Sequence, residues 1–180
     1  MTDSPAIFRR ATAEDAVAVA RLHARSWQAT YRGLIPDEII ARVVRGEATR
    51  AERFRELFGD PDNERRGWVA THQEAVVGMA ISCPSHDPDA SDRTGEIEAI
   101  YMDPDFTGMG IGRGLFAHVT NDLTEQGFEE ATLWVLDSNA RARRFYEAAG
   151  WHFDGSTKED ERPGGVLHEV RYRRPLSIGT

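Results

Sequence analysis

Residues 103–121 read DPDFTGMGIGRGLFAHVTN, with Gly108, Gly110, Gly112 and Gly114 placed where an apolar strand runs out and an amphipathic helix begins. Glycine in a helix interior costs roughly 1 kcal/mol relative to alanine, so such a cluster at a helix start weakens the fold by about 2–4 kcal/mol unless the bare backbone is used. The unpaired N–H groups and partial positive charge of a helix N-terminus attract phosphate oxygens, and missing Cβ atoms let them approach. The spacing discriminates among phosphate loops. A nucleoside-triphosphate loop needs G-x-x-x-x-G-K-[ST], and the chain has no Gly-Lys pair. A dinucleotide G-x-G-x-x-G would need glycine at Arg113 or at Leu115, and the acids Glu129 and Glu130 precede the next strand instead of ending it. The glycines alone do not separate an anion cradle from a tight strand-to-helix connection that binds nothing.

The next segment separates them. Residues 131–151, ATLWVLDSNARARRFYEAAGW, read as a buried strand over 131–136, a polar break and a helix stopped by Gly150. A strand followed by PxxxGxGxGxxL (Pro104 to Leu115), then a strand followed by NxxAxxFYxxxGW (Asn139 to Trp151), resembles the GNAT superfamily of N-acetyltransferases. The resemblance covers nearly the whole chain in its order of elements. It implies an α/β (α+β) fold: a mixed, mostly antiparallel sheet of about seven strands flanked by helices and splayed between the fourth and fifth strands. It also implies acetyl-coenzyme A as co-substrate, an amine acceptor, and a single domain over residues 1–180. The family often has Arg or Gln where this chain has Thr107, so one side-chain contact to the pyrophosphate is in doubt while the backbone cradle is not. By resemblance the cofactor contacts are Thr107, Gly108, Met109, Gly110, Ile111, Gly112 and Arg113 in the loop, Asn139 and Phe145 in the second motif, and the backbone of Ile100, Tyr101 and Met102. That backbone would hydrogen-bond the pantetheine amides as ligand added to a sheet edge.

Working outward, 180 residues with 40% apolar content suffice for a full core. No stretch approaches the length of a membrane span, and MTDSPAIFRRAT lacks a signal peptide's apolar core, so a cytoplasmic protein without membrane association is expected. The single cysteine, Cys83, excludes an internal disulfide and reads as a small core side chain. Six histidines form no short ligand-spaced cluster, so no metal is expected. A net charge of -8 argues against a nucleic-acid surface and favours a cationic or neutral acceptor over an acidic one. Coenzyme A is polyanionic, so local cations must offset this field; Arg113, with Arg141, Arg143 and Arg144, is placed to do so. The resemblance allows a homodimer, which no residue specifies.

The remaining elements follow from periodicity. Residues 7–10 read as a strand, Thr12 to Asp15 as a capping box, and Val17, Ala20, Ala24, Trp27 and Tyr31 as a helical stripe ended by Gly33 and Pro36. A second helical region spans 36–58 with a break near Gly46. Residues 68–72 and 75–83 suggest a hairpin, 84–93 an acidic loop, and 95–103 the strand before the glycines. Ile111, Leu115, Val119 and Leu123 form the buried stripe of the helix after them. Residues 151–156 and 166–173 suggest two antiparallel strands joined by a charged loop ending in Pro163-Gly164-Gly165.

Acyl transfer to an amine sets further requirements. An alkyl amine of pKa near 10.4 is protonated at pH 7, and exposing its lone pair costs roughly 4–5 kcal/mol. A carboxylate base would help. Glu96 and Glu98 alternate along the strand and should share a face. Glu96 lies eleven residues before Thr107, a spacing at which some members of the resembled family carry a glutamate base, which favours it over Glu98. Either could instead be a solvated edge carboxylate, or bind a cationic acceptor. The departing thiolate needs a proton, and Tyr146, two helical turns after Asn139, matches the family's general-acid tyrosine. Its ordinary role would be a core tyrosine. Asn139 suits both a helix cap and a pantetheine contact, Phe145 would pack under the cofactor, and a backbone N–H near Met102 would polarise the thioester carbonyl. Trp27, Tyr31, Arg32, His86 and His168 are candidates for the acceptor pocket, each with an equally ordinary structural role. The leading expectation is an N-acetyltransferase working by direct attack. A noncatalytic acyl-coenzyme A sensor and a structural interaction domain are the alternatives.

Overall fold

In the computed structural model, residues 5–176 are described. Strands β1 (Ile7–Arg10), β2 (Arg66–His72), β3 (Ala75–Pro84), β4 (Thr94–Met102), β5 (Glu130–Leu136), β6 (His152–Arg162) and β7 (Gly165–Pro175) form a seven-stranded sheet in the order β1-β2-β3-β4-β5-β7-β6. Every neighbouring pair is antiparallel except β4 and β5. Helices α1 (Ala16–Tyr31), α2 (Asp37–Arg45) and α3 (Glu47–Gly59) precede the β2–β3 hairpin, while α4 (Ile111–Glu125) and α5 (Ala140–Ala148) follow β4 and β5.

The helical stripes sort onto the two faces of the sheet. Ile111, Leu115, Val119 and Leu123 of α4 are buried against Ile97, Leu133 and Tyr172, as their spacing predicts. Val19, Ala20 and Leu22 of α1 pack with Phe54 and Leu57 of α3 over Val69, Met79 and Ile81 on the other face. The capping box forms: the Thr12 N–H donates to Asp15 Oδ2 at 2.8 Å, and the Arg9 guanidinium clamps the same carboxylate. Cys83 is buried, and burial together with Glu96 and Glu98 pushes its thiol up.

The parallel pair is what makes room for a site. β4 and β5 pair only over Thr94↔Glu130, Gly95↔Ala131 and Glu96↔Thr132, and then part. Backbone polar groups of 97–102 and 133–136 are left facing the gap instead of each other. A bulge adds a second irregularity. Ile81 pairs with Ala99 and Ser82 with Ile97, so Glu98 is an extra residue on β4. Alternation therefore resets: Ile97, Ile100 and Met102 pack with α4, whereas Ala99 and Tyr101 pack with α1.

One expectation is corrected. The charged stretch 157–162 is strand and not loop: β6 runs to Arg162, pairs with β7 as far as Arg162↔Gly165, and turns through Pro163 and Gly164. Cross-strand partners, including Lys158↔Glu169 with an ion pair at 3.4 Å, hold this stretch of β6, which carries no apolar side chain.

Candidate functional site

The gap between β4 and β5 opens into a cavity of about 1080 Å³ that extends to α1 on one side and to the glycine loop and α5 on the other. The loop's glycines divide by function. Gly108 (φ +83) and Gly110 (φ +80) sit in the left-handed region, and a Cβ on either would meet nothing within 4 Å. Gly112 and Gly114 are packing glycines: a Cβ would lie 3.2 Å from Met102 Cγ and 2.4 Å from Phe8 Cζ, respectively. Gly110 is the N-cap of α4, so the N–H groups of the first turn point into the cavity mouth without helical partners. An anion fits there. The Thr107 hydroxyl donates to the Pro104 carbonyl at 3.0 Å, so its side chain is spent locally. Arg25 of α1 braces the loop's start through Asp103 and Asp105.

Of the residues expected to hold the cofactor, Ile100, Tyr101, Met102, Thr107, Gly108, Gly110, Gly112, Arg113, Asn139 and Phe145 line the cavity. Met109 is 51% exposed and Ile111 is buried in the core, and neither lines it. Asn139 caps α5, its Oδ1 accepting from the Ala142 N–H at 3.1 Å. Its Nδ2 amide makes no hydrogen bond among the described residues. Arg141 joins Arg113 at the cavity, whereas Arg143 turns away to Asp137 and the Tyr172 hydroxyl.

Tyr146 lies at the centre of this arrangement, 8% exposed, its ring against Phe116, Phe145 and Tyr172. Burial, reinforced by Tyr101, pushes its phenol up, so the hydroxyl is protonated at neutral pH. The two glutamates part company. Both flank Cys83, but Glu98 lines the cavity and Glu96 does not. Glu98 is held by a bidentate pair to Arg65, with Nε to Oε2 at 2.8 Å. Burial and then Asp87 push Glu96 up, against a weak hydrogen bond from Ser85 Oγ at 3.4 Å.

The acceptor-side candidates also divide. Trp27 and Tyr31 line the cavity with Tyr101, ring centroids 4.7 Å apart for Trp27–Tyr31. His86 pairs with Glu64 and His168 with Glu159, both exposed; these two and Arg32 lie outside it. Sequence reasoning missed Arg162, Leu167 and Glu169, which the extended β6–β7 hairpin carries to the cavity.

It also missed Arg171, 4% exposed, whose guanidinium donates to Asp87, Asp89, Asp154 and Ser156 and so ties the 84–93 loop to β6 and β7. The Arg171 hydrogen bonds hold Asp89 down at about 2, and the Arg173 hydrogen bond holds Glu130 low. Such carboxylates stabilise the fold above their unfolded pKa near 4, and that stability is lost as pH falls through the folded value. Amides of residues 84–93 are therefore expected to lose hydrogen-exchange protection as pH drops from 4 to 2, ahead of the α4 amides. Simultaneous loss in both segments would show that the loop has no separate anchor.

Residues 16–151 match the Acetyltransferase (GNAT) family. The chain belongs to the GNAT acetyltransferase family. It is 27% identical over 92% of its length to a probable N-acetyltransferase of Mycobacterium tuberculosis, covering 91% of that protein. It is 29% identical to an uncharacterized N-acetyltransferase of Bacillus subtilis, over 78% of this chain and 76% of the relative. Among solved structures it resembles the PaiA N-acetyltransferase of Thermoplasma acidophilum in complex with coenzyme A, with a TM-score of 0.73 at 17% identity over 96% and 99% of the two chains. The protein is thus a GNAT acetyltransferase, and the splayed sheet is that family's fold. Among the described residues, no helix is long and apolar enough to cross a membrane, and no group of three His, Cys, Asp or Glu side chains is placed to hold a metal.

Proposed function

We propose that the protein transfers acetyl from acetyl-coenzyme A to a primary amine by direct attack in a ternary complex, with residues 1–180 acting as one catalytic domain. The observation that carries this reading is the continuity of the cavity: one space is lined by Gly108 and Gly110, by the parted strands, by Tyr146, and by the aromatic wall of α1. Both substrates then meet without leaving the protein. Cys83, the chain's one thiol, does not line this space, which supports attack by the amine itself over a cysteinyl intermediate.

The residues divide the work. The N–H groups at the start of α4 and Arg113 bind the diphosphate, and Asn139 Nδ2 with the backbone of Ile100, Tyr101 and Met102 binds the pantetheine arm. Glu98 takes the ammonium proton at the cavity, and Glu96 serves as a second acceptor behind it. The freed nitrogen attacks the thioester carbon; as the C–S bond breaks, the adduct nitrogen gives up its second proton to solvent, and Tyr146 gives its proton to the departing sulfur and regains one from solvent. The products are the N-acetyl amide and the free thiol. The test is thiol release from acetyl-coenzyme A in the presence of a panel of primary amines. Amine-dependent release is expected, and acetyl-coenzyme A binding without release for any amine would make the protein a sensor.

A further inference from the structure

We infer that the acceptor is a zwitterion, an amine that carries a carboxylate on an apolar body, and that Arg162 is the residue that selects it. This rests on the acetyl-transfer reading above and extends it to a substrate class. Arg162 ends β6 at the cavity's acceptor side, and its guanidinium lies over the Trp27 ring, 5.4 Å from the centroid. Nε donates to Asp160 at 2.7 Å. The two terminal amino groups have no hydrogen-bond partner among the described residues. A guanidinium fixed on an aromatic face and anchored through Nε presents its outer edge as a two-donor fork, which matches a carboxylate.

The surroundings complete the match. Glu169 and Glu98 also line the cavity, so acceptors for an ammonium stand in the same space as a donor fork for an anion. Each of those glutamates is balanced by a cation of its own, Lys158 and Arg65 respectively. Between them the wall is Trp27, Tyr31, Leu34, Ile35 and Leu167, which suits an apolar body and offers nothing to a polycation. Arg162 also makes itself felt inside the protein: His23, stacked on Trp27 and edge-on to Tyr101, is held down at about 3 by burial and by the charges of Arg50 and Arg162. The chain's net charge of -8 favours a cationic or neutral acceptor only at long range. Within a Debye length of about 8–10 Å the pocket's own groups decide.

The experiment compares L-phenylalanine, L-leucine and L-methionine with phenethylamine, isoamylamine and 3-(methylthio)propylamine as acceptors, in the wild type, Arg162→Gln and Arg162→Lys. The wild type is expected to favour each amino acid over its carboxylate-free partner by about tenfold or more in kcat/KM. Arg162→Gln is expected to raise KM for the amino acids by about tenfold to a hundredfold with kcat and the acetyl-coenzyme A KM unchanged, and Arg162→Lys to recover part of the loss. The amines should not respond to either change. Calorimetry of N-acetyl-L-phenylalanine and N-acetylphenethylamine on the coenzyme A-loaded protein reads the same preference without turnover. Equal use or equal binding of the two classes, or a preference that survives Arg162→Gln, overturns the inference and leaves acetyl transfer standing. A protein that does not bind acetyl-coenzyme A at all overturns the transfer reading itself.

Discussion

Gly110→Glu is expected to abolish the thermal stabilisation that acetyl-coenzyme A gives the wild type while leaving a folded protein. Ligand at 100 times its dissociation constant adds about 2.7 kcal/mol, or roughly 5–11 °C in Tm for a chain of this size. Gly110 is suited to the experiment because two effects of the change can be told apart. A side chain at φ +80 is strained, but a Cβ there meets no atom within 4 Å, so no core contact is lost. That strain is about 1–2 kcal/mol, a modest fall in Tm without ligand. The new carboxylate stands before the free N–H groups of α4, where it repels a diphosphate and competes for its donors. Gly127→Glu is the matched control: it has φ +93, equally open space, and a place beyond the C-terminus of α4. It should carry the strain and keep the full shift. A Gly110→Glu protein that retains the wild-type shift would remove the diphosphate from this loop.

The loop was legible in the sequence because its geometry is written in residue type: left-handed backbone and open approach both demand glycine, and no other residue supplies them cheaply. Gly114 shows the limit of that argument. It looks the same in sequence, yet its missing Cβ makes room for the Phe8 ring of β1, a partner more than a hundred residues away. The parted strands were foreseeable only through the family resemblance, since nothing in residues 95–103 or 131–136 says where pairing stops. The bulge at Glu98 depends on the register of β3. It separates two glutamates that alternation alone treats as equivalent.

The β6–β7 hairpin was read short for a related reason. Residues 157–162 of β6 carry no apolar side chain, so hydrophobic period does not mark them, and cross-strand pairing holds them instead. With the end of β6 went Arg162, which lines the cavity; Glu169 falls inside the stretch 166–173 read as strand, where a charged residue gave no sign of facing the cavity. Arg171 was missed because an arginine in a strand is ordinarily exposed. The signal for it was present: the loop holds Asp87, Asp89 and Asp92 against a single arginine, Arg93, which pairs with Glu129, and Arg171 answers Asp87 and Asp89 from β7.

Tyr146→Phe is expected to lower kcat by about a hundredfold to ten-thousandfold, the range for loss of a positioned proton donor, with acetyl-coenzyme A affinity unchanged. The substitution removes one oxygen and keeps the ring that packs on Phe116, Phe145 and Tyr172, so no void opens in the core. The hydroxyl makes no hydrogen bond among the described residues, so stability should change by less than about 1 kcal/mol, in either direction. In the proposed mechanism the oxygen supplies a proton to the leaving sulfur. A thiol of pKa near 8.5 leaves more readily as a thiol than as a thiolate in a site closed to water. Burial holds the phenol above its ordinary value of 10, so Tyr146 remains a donor throughout the range in which the protein is assayed. The wild-type rate should therefore show no alkaline decline attributable to it below pH 10. A variant with wild-type kcat would return Tyr146 to the core as an ordinary tyrosine. One that lost cofactor affinity in proportion to rate would make it a binding residue, and the proton would have to come from solvent.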